Sequence, residues 1–170
     1  MRGNFFGVKT EVQTAYDKYA NKLYNYALMI LANHSAAEDA LQQVFVKMIK
    51  MGNRILKIES YESYLTTAIR NQCYEIIKKD NRLRLLAENS PSKLLIEHLD
   101  KNETNHEERE MLENAIKKLS PQQREVLHMK VYENKTFAQI SKTIGLSINT
   151  ITSRYRYAMD KLKEQLNSSR

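Results

Sequence analysis

The sequence predicts an all-α protein of two small helical domains joined by a linker, and three observations carry that expectation. Only four glycines and two prolines interrupt 170 residues, so long stretches can remain helical. Apolar residues recur at steps of three and four along most of those stretches. No alternating Val/Ile/Thr run flanks an Asn-Gly or Asp-Gly turn, so strand signals are missing. The division into domains comes from charge. Residues 1–86 carry a net +5, residues 87–113 a net −5 and residues 114–170 a net +7. Two basic blocks around an acidic one suggest two surfaces for a polyanion and a linker that avoids it. An RNA or a membrane surface would suit the same balance. The expected domains are residues 8–84 and 108–167, with 85–107 as the linker.

In the first domain, Val8, Val12, Tyr16, Tyr19, Leu23, Tyr26 and Ile30 form the apolar stripe of a helix over 8–32. Its tyrosines are expected in the core, with their hydroxyls at a polar edge. Asn33, His34 and Ser35 break the pattern. Ser35 with Glu38 three residues on reads as a capping box, and His34 is expected at the surface. A second helix follows over 36–51, with Ala37, Leu41, Val44, Phe45 and Met48 inward and Glu38, Asp39, Gln42, Gln43 and Lys47 outward. Gly52 ends it. Residues 53–60 lack either periodicity and read as a loop. Its Ile55, Leu56 and Ile58 either pack onto the core or form a contact surface. The third helix, 60–81, turns Tyr61, Leu65, Ala68, Ile69, Gln72, Cys73, Ile76 and Ile77 inward. Cys73 is therefore read as a small buried hydrophobe. Arg70, Asn71, Lys78, Lys79, Arg82 and Arg84 lie on its outer face and end. Such a cluster meets the helix dipole favourably and also suits phosphates.

From 85 to 107 the chain is polar and irregular, with Leu94, Leu95, Ile96 and Leu99 as one possible short helix. Beyond it, Met111, Leu112, Ala115, Ile116 and Leu119 share a helix face. Ser120 and Pro121 open the next helix as cap and first helical residue, with Val126, Leu127 and Val131 as its core side. Residues 136–166 then form two helices across a tight turn. The first covers 137–144, and Gly145 supplies a left-handed stop. Leu146 is the joint and Ser147 the next cap. In the last helix Ile148, Ile151, Tyr155, Ala158, Leu162 and Leu166 share the inner face, while Asn149, Thr152, Ser153, Arg156, Asp160 and Lys163 share the outer one. This matches a helix-turn-helix whose second helix enters the major groove. An ordinary helical hairpin with a solvated outer face is the plainer reading.

Several functions are not expected. No run of about 18 apolar residues suggests a membrane span, and 1–13 lacks the apolar segment of a signal peptide; the cytoplasm is the expected site. One cysteine cannot form an internal disulfide. His34, His98, His106 and His128 fall in different segments without a carboxylate or cysteine constellation, and there is no glycine-rich phosphate loop. Neither a catalytic site, a metal site nor a cofactor is expected, and a small helical enzyme is the weakest reading.

Three stretches together carry a family resemblance. EDALQQVFVKMIK (38–50), SYLTTAIRNQCYEIIKKDNR (63–82) and LSPQQREVLHMKVYENKTFAQISKTIGLSINTITSRYRYAMDKLKEQL (119–166) resemble bacterial RNA polymerase sigma factors. The resemblance is to the small extracytoplasmic-function group of the sigma-70 family, which keeps only regions 2 and 4. It implies that Glu38, Asp39, Leu41, Gln42, Gln43 and Phe45 bind the β′ clamp of core RNA polymerase, with the β flap as a further contact. Most relatives have glutamate where Gln43 stands, which implies one weaker charge-assisted contact.

It also implies that the loop 53–60, with Asn53, Arg54 and Ser60, and the helix residues Tyr64, Arg70 and Asn71 read a melted minus-ten element. Lys78, Lys79 and Arg82 would hold its phosphates. The loop departs from the commoner phenylalanine-rich, glycine-containing version, so the base it takes is open. Ser147, Asn149, Thr150, Thr152, Ser153, Arg154, Arg156 and Tyr157 would contact the minus-35 duplex. Relatives place lysine or arginine at the position of Thr152, whose hydroxyl and methyl imply a different base reading. The implied partners are core polymerase, promoter DNA and an anti-sigma factor, without membrane insertion. A stand-alone helix-turn-helix regulator is the alternative; it would need none of the polymerase-binding residues.

Overall fold

The computed structural model describes the backbone of residues 3–84 and 106–167 and the side chains of residues 7–82 and 110–167. Residues 85–105 of the expected linker, with Leu94, Leu95, Ile96, Leu99 and His98, lie outside the described residues, as do the side chains of Arg84 and His106; the last two linker positions are already helical. All regular structure among the described residues is helical. The helices form two compact units, one within residues 1–93 and one within 94–170.

The first unit packs α1 (Gly3–Leu31), α2 (His34–Lys50) and α3 (Tyr61–Arg84) around one core, with the 3-10 helix η1 (Gly52–Lys57) laid against α1 and α2. Tyr26, Ile30, Met48, Ile55, Leu65 and Ile69 are its largest fully buried side chains. Burying such residues removes apolar surface from water and is the main force holding the helices together. Val8, Val12, Leu23, Tyr26 and Ile30 of the expected α1 stripe are buried, but Tyr16 is 45% exposed. Its ring still sits edge-on to Phe45 at 4.9 Å, so it caps the core from the rim.

The start of α2 differs from the expectation. Ala32 turns the chain with φ of 53°, and Asn33, in extended conformation, becomes the cap, its Oδ1 accepting from Ala36 N at 2.9 Å. Ser35 and Glu38 therefore lie inside the helix and form no capping box. An asparagine placed two residues earlier satisfies the free N–H first. His34 is half-buried, with Nδ1 2.6 Å from the Tyr24 hydroxyl, and is not the surface residue expected.

The second unit packs α4 (His106–Lys117), α5 (Pro121–Val131), α6 (Phe137–Ile144) and α7 (Ile148–Asn167). Its core holds Ala115, Ile116, Leu119, Val126, Leu127, Met129, Ile140, Ile144, Ile151, Ala158 and Leu162. Val131 is 50% exposed, contrary to expectation: α5 ends there, and Met129 fills the core position instead. α5 and α6 each begin with a complete capping box. Gln123 N donates to Ser120 Oγ while Ser120 N donates to Gln123 Oε1, and Thr136 and Gln139 repeat the arrangement. Buried Arg124 closes the end of α4 by donating from Nη1 to the Lys117 carbonyl at 3.3 Å, and to the Leu119 carbonyl just beyond it at 2.6 Å. Gly145 has φ of 77°, where a side chain would be strained. Its N–H donates to the Ser141 carbonyl, so α6 stops where the sequence places the turn.

Candidate nucleic-acid interface and partner face

The exposed face of α2 is acidic and amide-rich at its start and mixes apolar Val46 and Ile49 with Lys47 and Lys50 at its end. Glu38, Asp39, Gln42 and Gln43 are exposed. Leu41 and Phe45 are buried at 8% and 5%, so they hold α2 onto the core and offer no side chain to a partner. Val46 and Ile49, which the sequence reading passed over, are 46% and 53% exposed and continue the row 38, 42, 46, 49. Spacing by three and four from Glu38 was the available signal.

Gln43 is not merely an outward side chain. Its Oε1 accepts from Gln72 Nε2 on α3 at 2.7 Å, and Lys47 Nζ donates to Gln72 Oε1 at 2.7 Å. Gln72 itself is 7% exposed. This polar bridge fixes α2 against α3. A pocket of about 300 Å³ opens on one side of it, lined by Val44, Lys47, Tyr64, Thr67, Asn71 and Glu75. A second, of about 510 Å³, reaches Asp39, Lys78, Lys79 and Arg82.

Residues 53–60 are a 3-10 helix up to Lys57, not an irregular loop. Such short helices have no long apolar period to betray them. Its apolar residues divide: Ile55 is fully buried and packs onto the core, while Leu56 is 51% exposed. Tyr61 holds the segment down by donating from its hydroxyl to the Ile55 carbonyl at 3.0 Å. Burial, and then the nearby Glu11 carboxylate, raise the Tyr61 pKa above its ordinary 10.0. Asn53, Arg54 and Ser60 are exposed. Arg54 Nε reaches back to the Met51 carbonyl at 3.4 Å, and Ser60 Oγ accepts from Ser63 N at 3.3 Å.

Tyr64 is half-buried, its hydroxyl 3.0 Å from Met51 Sδ. The Arg70 guanidinium lies over the Tyr74 ring at 4.9 Å. Asn71, Lys78, Lys79 and Arg82 are exposed along α3. Asn71 lines the smaller pocket with Tyr64, whereas Lys78, Lys79 and Arg82 line the larger one. Phosphates could run along that basic helix end beside a pocket of aromatic and amide character.

In the second unit, Ile151, Ala158 and Leu162 anchor α7, and Phe137 packs edge-on to Tyr155 at 5.4 Å. Ser147 caps the helix, its Oγ accepting from Thr150 N at 3.1 Å. Asn149, Thr152, Arg156 and Tyr157 are exposed, and Thr150, Ser153 and Arg154 are half-buried. The Arg156 guanidinium lies 5.2 Å from the Tyr157 ring centre. Ile148, assigned to the core stripe by its spacing, is 49% exposed. As the first helical residue it precedes the point where α7 meets the core.

Among the described residues no group of three or more His, Cys, Asp or Glu could hold a metal ion. Cys73 is buried, as its position on α3 predicts. No helix among the described residues is long and apolar enough to cross a membrane.

A helical bundle with a basic helix end, together with a helix-turn-helix whose second helix shows a polar and basic face, defines a two-unit helical DNA-binding protein. The family model for sigma-70 region 2 matches residues 15–83, and that for sigma-70 region 4 matches residues 115–164. The chain is similar to the ECF RNA polymerase sigma factor SigL of Mycobacterium tuberculosis, at 25% identity over 154 residues, 89% of this chain and 86% of the relative. The RNA polymerase sigma-E factor of Streptomyces avermitilis is 26% identical over 132 residues, 78% of this chain and 72% of the relative. Among solved structures, the sigma factor RpoE in complex with the anti-sigma factor NepR from Bartonella quintana shares the fold, with a TM-score of 0.71. That match has 22% identity and covers 95% of this chain and 98% of the other. The chain belongs to the sigma-70 family, and within it to the extracytoplasmic-function group. It is a sigma factor, a DNA-binding regulatory subunit that serves transcription initiation.

Proposed function

We propose a division of labour between the two units. Glu38, Asp39, Gln42 and Gln43 of α2 dock on the β′ clamp of core polymerase, with Val46 and Ile49 extending the contact. The β flap supplies a further contact to the protein. η1 and α3 take the minus-ten element as single strand: Asn53, Arg54, Ser60, Tyr64, Arg70 and Asn71 meet bases, and Lys78, Lys79 and Arg82 meet phosphates. The face of α7 around Thr152 and Arg156 takes the minus-35 duplex. Two modest DNA contacts on one polymerase reinforce each other through effective concentration, so neither unit needs to bind tightly alone.

The protein catalyses nothing itself in this reading; the polymerase supplies the chemistry, in the cytoplasm. An anti-sigma factor is its proposed regulator, as in the RpoE–NepR complex, with exposed Leu56 among the contacts. The observation that carries the reading is the outward face of α7 in an intact helix-turn-helix, paired with the basic end of α3. Reconstituted transcription tests it. Adding the protein to core polymerase should produce initiation at defined promoters, and its absence would sink the proposal. Replacing Asp39 and Gln42 together by alanine should abolish most polymerase binding while α7 retains its DNA contact.

A further inference from the structure

The first turn of α7 carries no long basic side chain, and its hydroxyl groups are engaged within the protein. Ser147 Oγ caps Thr150 N and lies 2.9 Å from Thr150 Oγ1. Thr152 Oγ1 donates to the Ile148 carbonyl at 2.9 Å. A threonine hydroxyl has one proton, so this bond uses the only side-chain donor Thr152 has. With its proton committed and the oxygen turned back along the helix, this exposed residue has no donor for a base and keeps its methyl as an apolar contact. One turn earlier, Ile148 is 49% exposed. Residues four apart are neighbours on a helix surface. The start of α7 therefore shows a small aliphatic patch within a face that is otherwise polar and basic, flanked by exposed Asn149 and Arg156.

We propose that Ile148 and Thr152 read the 5-methyl groups of thymines in the upstream promoter duplex. The inference rests on α7 being the duplex-binding helix. Residues at the start of a recognition helix meet base edges, and thymine alone among the four bases presents a methyl group in the major groove. An aliphatic side chain distinguishes bases there by burying that methyl. A guanine reader would need a long donor such as arginine or lysine, which this turn lacks. The neighbouring Asn149 amide matches adenine, the partner of thymine, so the whole patch favours A·T pairs.

Deoxyuracil, which differs from thymine only by the missing methyl, tests this directly. A promoter used by the holoenzyme is mapped, each upstream thymine is replaced in turn, and holoenzyme binding to the duplex is measured. One or two replacements should each weaken binding about fourfold, the value of one buried methyl-sized group. Thr152→Ser keeps the hydroxyl bond and removes the methyl, so sensitivity at one thymine should disappear; Thr152→Val should retain it. Ile148→Ala should erase sensitivity at another thymine, and exposure at both positions leaves the core intact. Equal binding of thymine and uracil duplexes by the wild-type holoenzyme overturns the proposal and leaves the promoter reading standing. Sensitivity that survives both Thr152→Ser and Ile148→Ala overturns the residue assignment. A holoenzyme that selects no promoter overturns both the inference and the reading beneath it.

Discussion

The two units hold their interface helices with a different balance of bonds. In the first, α2 and α3 are fixed by bonds between residues far apart in sequence: Gln43 to Gln72, 29 positions, and Lys47 to Gln72, 25 positions. In the second, the starts of α5, α6 and α7 are fixed by bonds within one turn, Ser120 with Gln123, Thr136 with Gln139 and Ser147 with Thr150, and Lys161 then ties α7 to the Lys118 carbonyl. A local cap positions one helix end, whereas a cross-helix bridge positions two helices at once. Damage to the first kind should stay local, and damage to the second should spread.

The largest effects test whether the units are energetically separate. Ile69→Ala and Ile151→Ala each empty a fully buried site and should cost about 2–5 kcal/mol. Hydrogen exchange should show each loss only in the amides of its own unit; a loss shared by both would break the comparison. Next, Arg156→Ala should weaken upstream duplex binding by about 1–3 kcal/mol. Thr152→Ala, which deletes a methyl and an internally bonded hydroxyl, should cost less. Equal losses in a promoter-binding assay would contradict that ranking.

Smaller effects sharpen the contrast between cap and bridge. Thr136→Ala should cost about 1 kcal/mol, with faster exchange confined to the first turn of α6. Gln72→Ala should cost a similar amount, about 1 kcal/mol, by leaving Gln43 and Lys47 without this partner. Its exchange signature should appear on both α2 and α3, and a signature on α3 alone would refute the bridge.

The smallest effect is set by pH. The folded state holds the Tyr61 proton more tightly than the unfolded chain, so this contribution is complete below pH 10.0 and is lost as pH rises through the raised folded value. Tyr61→Phe should remove that alkaline component from the stability profile of the first unit.

The same contrast explains what could be read from sequence. Gly145, Ser147 and the Ser120-Pro121 start were legible because each acts on its immediate neighbours. Apolar spacing likewise located the seven α-helices of the described residues and the burial of Cys73. It failed where competition or distance decided the outcome. Asn33 displaced Ser35 as cap because a left-handed Ala32 placed it first at the helix end. Tyr24 drew His34 out of solvent across ten positions. Periodicity assigned Ile148 and Val131 to the core, yet each stands at a helix end, where the core has not begun or has already finished. At the candidate interface, exposed Asn149 and Arg156 followed from helical spacing, whereas the Gln72 bridge required α2 and α3 to be seen side by side.

The reciprocal caps of the second unit also bear on the order in which the protein forms. Each closes over three residues, so α5 and α6 can set their starts before any long loop has closed. Both units also need distant closures: Glu62 must return to Lys22, 40 positions away, in the first, and Lys161 to the Lys118 carbonyl, 43 positions away, in the second. Contacts of greater sequence separation slow folding. On the ribosome the first unit emerges earlier, by the time needed to synthesise the second. In each unit, therefore, the local caps can form before the distant bonds that lock its helices together.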